Sequence, residues 1–136
     1  MRFERIAPGD IGRVWEFVSK GLKDIQRLCG DPKSPEFVYH QILSDRAALF
    51  ILHEEKPTGF CVLEACQFAP GFPYMNAWLL HFVNRIHGDA RRDFLAWLDE
   101  TAQGKPIRFV SPRKGWIRFL GDDFEIAGYI FERKKK

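Results

Sequence analysis

Apolar residues along this chain recur with two periods, one of strands and one of helices. Residues 2–6, Arg-Phe-Glu-Arg-Ile, read as a short opening strand, broken by Pro8-Gly9-Asp10. From Asp10, a residue suited to cap a helix, Ile11, Val14, Trp15, Val18, Leu22, Ile25 and Leu28 follow one helical face. That helix is expected to stop near Cys29-Gly30, with Pro32 just beyond. Ser34 and Pro35 predict a second helix, with Ser34 as cap, Phe37, Val38 and Ile42 inward, and an end about Ser44-Asp45.

Residues 47–52 form a short apolar run, the polar cluster 53–57 a hairpin turn, and 59–66 the returning strand. A Pro/Gly loop at 69–73 leads to a strand over 74–83. A helix over about 89–102 carries Phe94, Trp97 and Leu98 on its apolar stripe. Residues 106–110 read as a strand, 114–120 as a short helix and 124–131 as a final strand. This order predicts an α/β fold: a central mixed sheet of about six strands flanked by about four helices, in three layers α/β/α, with hairpins early and crossovers late.

With 136 residues, a single domain over 1–136 is expected, ending in a basic tail at 132–136. The hydrophobic share of 46% is ample for a core. The net charge of +3 owes much to Lys134-Lys135-Lys136, which reads as a solvated tail, so nucleic acid is not expected as a partner. No apolar run approaches the roughly 20 residues that span a bilayer, and the N-terminus lacks an apolar leader, so no membrane partner and a cytoplasmic location are expected. Three cysteines, Cys29, Cys61 and Cys66, argue against a disulfide framework and against a metal site.

The stretch with most chemical content is Arg85-Ile86-His87-Gly88-Asp89-Ala90, between the 74–83 strand and its helix. A strand that turns through Gly into a helix start leaves backbone N–H groups unpaired, and these with the helix dipole favour a phosphate. Arg85, Arg91 and Arg92 add positive charge.

The element order, with this turn where it stands, resembles the GCN5-related N-acetyltransferase (GNAT) superfamily. The family's acyl-CoA signature is Gln or Arg, two residues, Gly, one residue, then Gly or Ala; Arg85, Gly88 and Ala90 fill those positions. The resemblance implies acetyl-CoA (or CoA) as cofactor. Its diphosphate would be held by backbone N–H groups of Ile86, His87, Gly88, Asp89, Ala90 and Arg91, next to Arg85. It implies a splay between the parallel strands 74–83 and 106–110, and an N–H near Phe82 or Val83 that polarises the thioester. Leu120 stands where the family has a Tyr that protonates the thiolate, Asp123-Phe124 replaces a Gly-Phe ending, and the stretch from Val83 to Arg85 is short for the family. A narrower resemblance, on Ile117-Arg118-Phe119-Leu120, is to small GNAT-like proteins associated with the virions of short-tailed phages.

N-acetyl transfer needs a base for the incoming ammonium. Glu64, in an otherwise apolar strand, is the first candidate; the competing reading is an exposed or ion-paired carboxylate. His81 is the second, weighed against a satisfied core histidine. Ser111, at the end of the 106–110 strand, is a hydrogen-bond donor, and Tyr74 and Tyr129 are the tyrosine acids that remain. The apolar loop 68–74 and Trp116 read either as packing or as contact surface.

Two functions follow. One is acetyl transfer from acetyl-CoA to a small-molecule or protein amine. The other is a non-catalytic GNAT-like phage structural or accessory protein, an interaction module with virion proteins as partners and a virion-associated location. A homodimer is open under either.

Overall fold

The structure, a computed structural model, describes residues 1–29, 34–111, 115–131 and 133. Five strands form one mixed sheet in sequence order: β1 (Arg2–Ile6), β2 (Ala48–His53), β3 (Pro57–Gln67), β4 (Pro73–Phe82) and β5 (Ile107–Phe109). The first four pair antiparallel, and β5 pairs parallel to β4. The helices are α1 (Trp15–Cys29), α2 (Pro35–Leu43), α3 (Gly88–Ala102) and α4 (Gly115–Leu120), with 3₁₀ turns at Pro8–Arg13 and Gly121–Asp123.

Strand alternation sorts the core into two layers. Ile6, Leu49, Ile51, Phe60, Val62 and Leu79 face α1 and α2, where Val18, Leu22, Val38 and Ile42 cover them. Leu52, Cys61, Leu63, Met75 and Ala77 face Phe94, Leu98 and Ala102 of α3. The three-layer α/β/α arrangement is as expected. Gly21 lets α1 come down onto the sheet, since a Cβ there would stand 2.5 Å from Phe60 Cε1 and 2.9 Å from His81 Nδ1.

Three expectations are corrected. Among the described residues the sheet has five strands where about six were expected: residues 124–131 join no ladder and are exposed apart from half-buried Phe124. Of the expected strand 106–110 only Ile107–Phe109 pair, with Met75–Ala77 of β4. The first helix is divided: Pro8–Arg13 is a 3₁₀ turn, Asp10 donates its N–H to Ala7 O (2.8 Å) instead of capping, and Val14 (φ −117°, ψ 3°) separates it from α1. Gly9 and Gly12 weaken α-helix there. Phe37, expected inward, is 48% exposed and meets Trp78 edge-on at 6.1 Å. The cap at Ser34 is as expected, its hydroxyl accepting from Phe37 N–H at 3.2 Å. Gly30, Pro32 and Lys134 to Lys136 lie outside the described residues.

Candidate active site

β4 reaches α3 through five residues, 83–87. Val83 N–H donates to Thr58 O at 2.8 Å, which ties the turn to β3 and occupies that amide. Among the described residues, the N–H groups of 84–87 form no hydrogen bond, and those of the first turn of α3 have no carbonyl four residues earlier to bond. Gly88 has φ +60°, in the left-handed region, and a Cβ there would meet nothing within 4 Å, so the space in front of it is open. A cavity of about 310 Å³ lies against the turn, bordered by Thr58, Asn84, Arg85, Ile86, His87 and Ala90, with the Glu54 carboxylate also on its rim. A neighbouring cavity of about 590 Å³ has walls of mixed charge, with Arg2 and His53 beside Glu54, Glu55, Asp89 and Asp93.

Arg91 is the exception among the residues of the turn. Its Nε donates to Phe119 O at 2.6 Å and its guanidinium lies 5.6 Å from the Phe119 ring centre. Its side chain therefore pins α4 to α3, and only its backbone belongs to the helix start. Arg92 pairs with Asp89 at 3.3 Å on the surface.

The parallel pairing of β4 with β5 covers only Met75 to Ala77. β5 ends there, and β4 runs on to Phe82 with no strand paired on that side among the described residues. Backbone groups alternate between the two edges of a strand. Because Val83 N–H turns to β3, Leu80 and Phe82 turn theirs to the open edge. By this alternation the Phe82 amide faces away from β3, whereas the Val83 amide faces it.

A bulge sets this geometry. Val62 pairs with Leu79 and Leu63 with Ala77, so Trp78 is an extra residue on β4. Trp78 and Leu79 consequently both turn to the α1/α2 side, while Ala77 and Leu80 turn to α3. The bulge and the amide of Leu80 were not legible as site features in the sequence. Two neighbouring large apolar residues on one side of a strand are the only trace they leave.

Glu64 lies on β3 opposite Asn76, one pair from the bulge, half-buried, and accepts a hydrogen bond from Asn76 Nδ2 at 2.8 Å. It has no ion-pair partner among the described residues. His81 lies opposite Phe60, stacks on its ring at 5.6 Å and meets Asp24 Oδ2 of α1 at 3.6 Å. Burial holds the His81 imidazole below its ordinary value of 6.5, with Asp24 pulling the other way. Phe60 and Glu64 are four residues apart, so His81 and Glu64 stand about 13 Å apart along the sheet and share no dyad. Ser111 follows β5, exposed. Leu120 is 9% exposed where the resemblance asks for a Tyr. Tyr129 is exposed, and Tyr74 stacks on Phe68 (4.2 Å) at the start of β4, far from the turn. A hydrogen bond with Cys66 raises the Tyr74 phenol. Trp116 packs on Phe109 at 5.6 Å.

Among the described residues, no helix is long and apolar enough to cross a membrane. No family model matches the chain, and no curated protein matches it by sequence. Solved structures do match. A probable acetyltransferase superposes with TM-score 0.68 at 9% identity, covering 99% of this chain and 100% of that one. An aminoglycoside acetyltransferase from an uncultured soil metagenomic sample, in complex with sisomicin, gives 0.66 at 14% identity (99% and 96% covered). A ribosomal-protein-alanine N-acetyltransferase from Brucella melitensis gives 0.64 at 12% (98% and 99%). A mixed sheet with β5 parallel to β4, a strand–turn–helix after β4, and three full-length acetyltransferase likenesses together identify the fold of this chain as that of the GCN5-related N-acetyltransferases.

Proposed function

We propose that this protein binds acetyl-CoA and transfers its acetyl group to an amine. The observation that carries this reading is the set of unengaged backbone donors at 84–87, beside the side of β4 that has no partner strand beyond Ala77. The residues suit the cofactor. The 84–91 amides and the bare face of Gly88 accept a diphosphate. From Val83 back to Trp78 the strand covers about 17 Å, a length that suits an extended pantetheine arm. Acetyl-CoA, when bound, supplies the activated acetyl group.

The chain's own part is positional and electrostatic. Leu80 and Phe82 present N–H groups along the open edge, placed to pair with amides and to polarise a carbonyl. Glu64, oriented by Asn76, takes a proton from the acceptor ammonium so that the neutral amine attacks. The ternary arrangement needs no covalent enzyme intermediate. With Leu120 at the Tyr position, the leaving thiolate takes its proton from water or from Ser111. The sisomicin complex of a structural neighbour supports a small-molecule amine as acceptor, and the ribosomal-protein neighbour a protein amine.

Titration calorimetry with acetyl-CoA tests the reading. Heat of binding is expected for the wild type and none for Gly88→Trp, whose indole fills the space before the amides. Absence of heat with both acetyl-CoA and CoA, down to affinities of about 1 mM, overturns it. The buried Leu120 and the engagement of Arg91 with Phe119 favour a second reading, a non-catalytic phage accessory or structural protein with this fold. Cofactor binding without acetylation of any amine would support that one.

A further inference from the structure

Glu64, Asn76 and Arg108 form one row across three strands. Glu64 of β3 pairs with Asn76 of β4, and Asn76 pairs with Arg108 of β5. Their chain neighbours Leu63, Met75, Ala77, Ile107 and Phe109 turn to α3. The row therefore stands on the opposite face of the sheet, which α1 and α2 cover farther along β3 and β4. The cover is incomplete here: Glu64 and Asn76 are half-buried and Arg108 is exposed.

The row carries two opposite charges that do not neutralise each other. Asn76 Nδ2 holds Glu64 at 2.8 Å. The Arg108 guanidinium lies over the rings of Phe68 (5.3 Å) and Tyr74 (5.4 Å), which stack on one another. Among the described residues neither Glu64 nor Arg108 has an ion-pair partner. The strand of Asn76 runs between them, so their backbones stand about 10 Å apart, two strand spacings. Aromatic groups flank the row on both sides. Phe68 and Tyr74 are on one, and Trp78, which the bulge turns to this face, is on the other with Phe37 edge-on at 6.1 Å. A guanidinium stacked on rings presents its N–H groups at its rim, in the fork that matches a carboxylate.

We propose that the acceptor is a small amine that also carries a carboxylate, with Glu64 receiving its ammonium end and Arg108 its carboxylate. The fate of the amine rests on the acetyl-transfer reading above. Arg108 selects the acceptor and takes no part in proton transfer. The distance between the outer strands, less the reach of the two side chains toward the middle, suits a spacer of about five methylenes. Such a chain lies over Asn76 between the two aromatic groups.

Titration of the isotope-labelled full chain with ε-aminocaproate, hexylamine and hexamethylenediamine, without cofactor, reads the site out by amide chemical shifts. The wild type is expected to bind ε-aminocaproate at least about threefold tighter than hexylamine, with shifts at the Asn76 side-chain amide. Arg108→Gln is expected to bind the two alike, and Arg108→Lys to keep the wild-type order. Arg108→Glu is expected to prefer the diamine over ε-aminocaproate by at least about threefold. All three should keep the wild-type circular dichroism spectrum, position 108 being exposed. The inference is overturned by equal binding of ε-aminocaproate and hexylamine to the wild type, by no binding of either up to about 50 mM, or by a preference that survives Arg108→Gln. Calorimetry with acetyl-CoA is read separately. No acetyl-CoA binding with the preference intact sinks the acetyl-transfer reading and leaves the carboxylate site standing, whereas acetyl-CoA binding without the preference does the reverse.

Discussion

The four antiparallel strands and the stretch after α3 both carry large apolar residues, yet only the former bury most of them. In β2 and β3 almost every apolar residue is covered, because long ladders are sandwiched between α1/α2 on one side and α3 on the other. After α3 the chain has a strand of three residues, a helix of six, and an extended segment. Val110, Ile117, Ile126, Ile130 and Phe131 stay more than half exposed. A six-residue helix is too short to hold itself in water. α4 stays because Phe119 fits among Phe82 and Phe94 and because Arg91 bonds Phe119 O. The first region supplies its own stability. The second is fastened at a few points.

That contrast can be broken most forcefully at Phe94, fully buried under the α3 side of the sheet. Phe94→Ala is expected to lose about 3–5 kcal/mol in urea unfolding. A loss below about 1 kcal/mol would mean that the α3 layer is not the core described. Next, Gly88→Val, with a β-branched side chain at φ +60°, is expected to weaken acetyl-CoA binding at least about tenfold by calorimetry.

Arg91→Ala should cost about 1–2 kcal/mol and raise amide exchange in α4 while leaving β1 to β4 protected. Equal loosening of both regions would refute their separation. His81→Phe sharpens the same division by pH. The imidazole, set between Phe60 and Asp24, is held below 6.5 by burial. As pH falls from 6.5, the unfolded chain takes the proton first, and stability declines until the folded group also titrates. The variant should therefore lose less stability than wild type as pH falls below about 6.5. Smallest of all, Phe131→Ala in dilute protein should change stability by less than about 0.5 kcal/mol, since the ring touches nothing.

Local signals explain what was readable. Ser34-Pro35 announced the start of α2, the 3.6-residue spacing of Phe94 and Leu98 announced α3, and the alternation along 59–66 announced β3, because each is decided by residues within one or two turns. The Gly88 turn was legible for the same reason: positive φ and an open helix start are properties of a few consecutive residues. Its resemblance to acyl-CoA loops added the topology of the whole fold. The misreadings fall where a partner elsewhere decides. Phe37 has helical spacing toward the core, but its outer neighbour is Trp78, turned that way by a bulge. Glu64 and His81 both stand in apolar strands, and only register sets one against Asn76 and the other against Phe60.

Sequence alone determined where α2 and α3 begin, most of the residues that supply the core, and the turn between β4 and α3, since these depend on side-chain period and backbone freedom close by in the chain. Tertiary structure decided where β5 stops pairing with β4, the side to which Leu80 and Phe82 turn their amides, the engagement of Arg91 with α4, and the lack of a ladder for 124–131. Each of those is a question of which distant backbone or side chain arrives to pair. No local preference answers it, because a strand's hydrogen bonds are satisfied only by another strand.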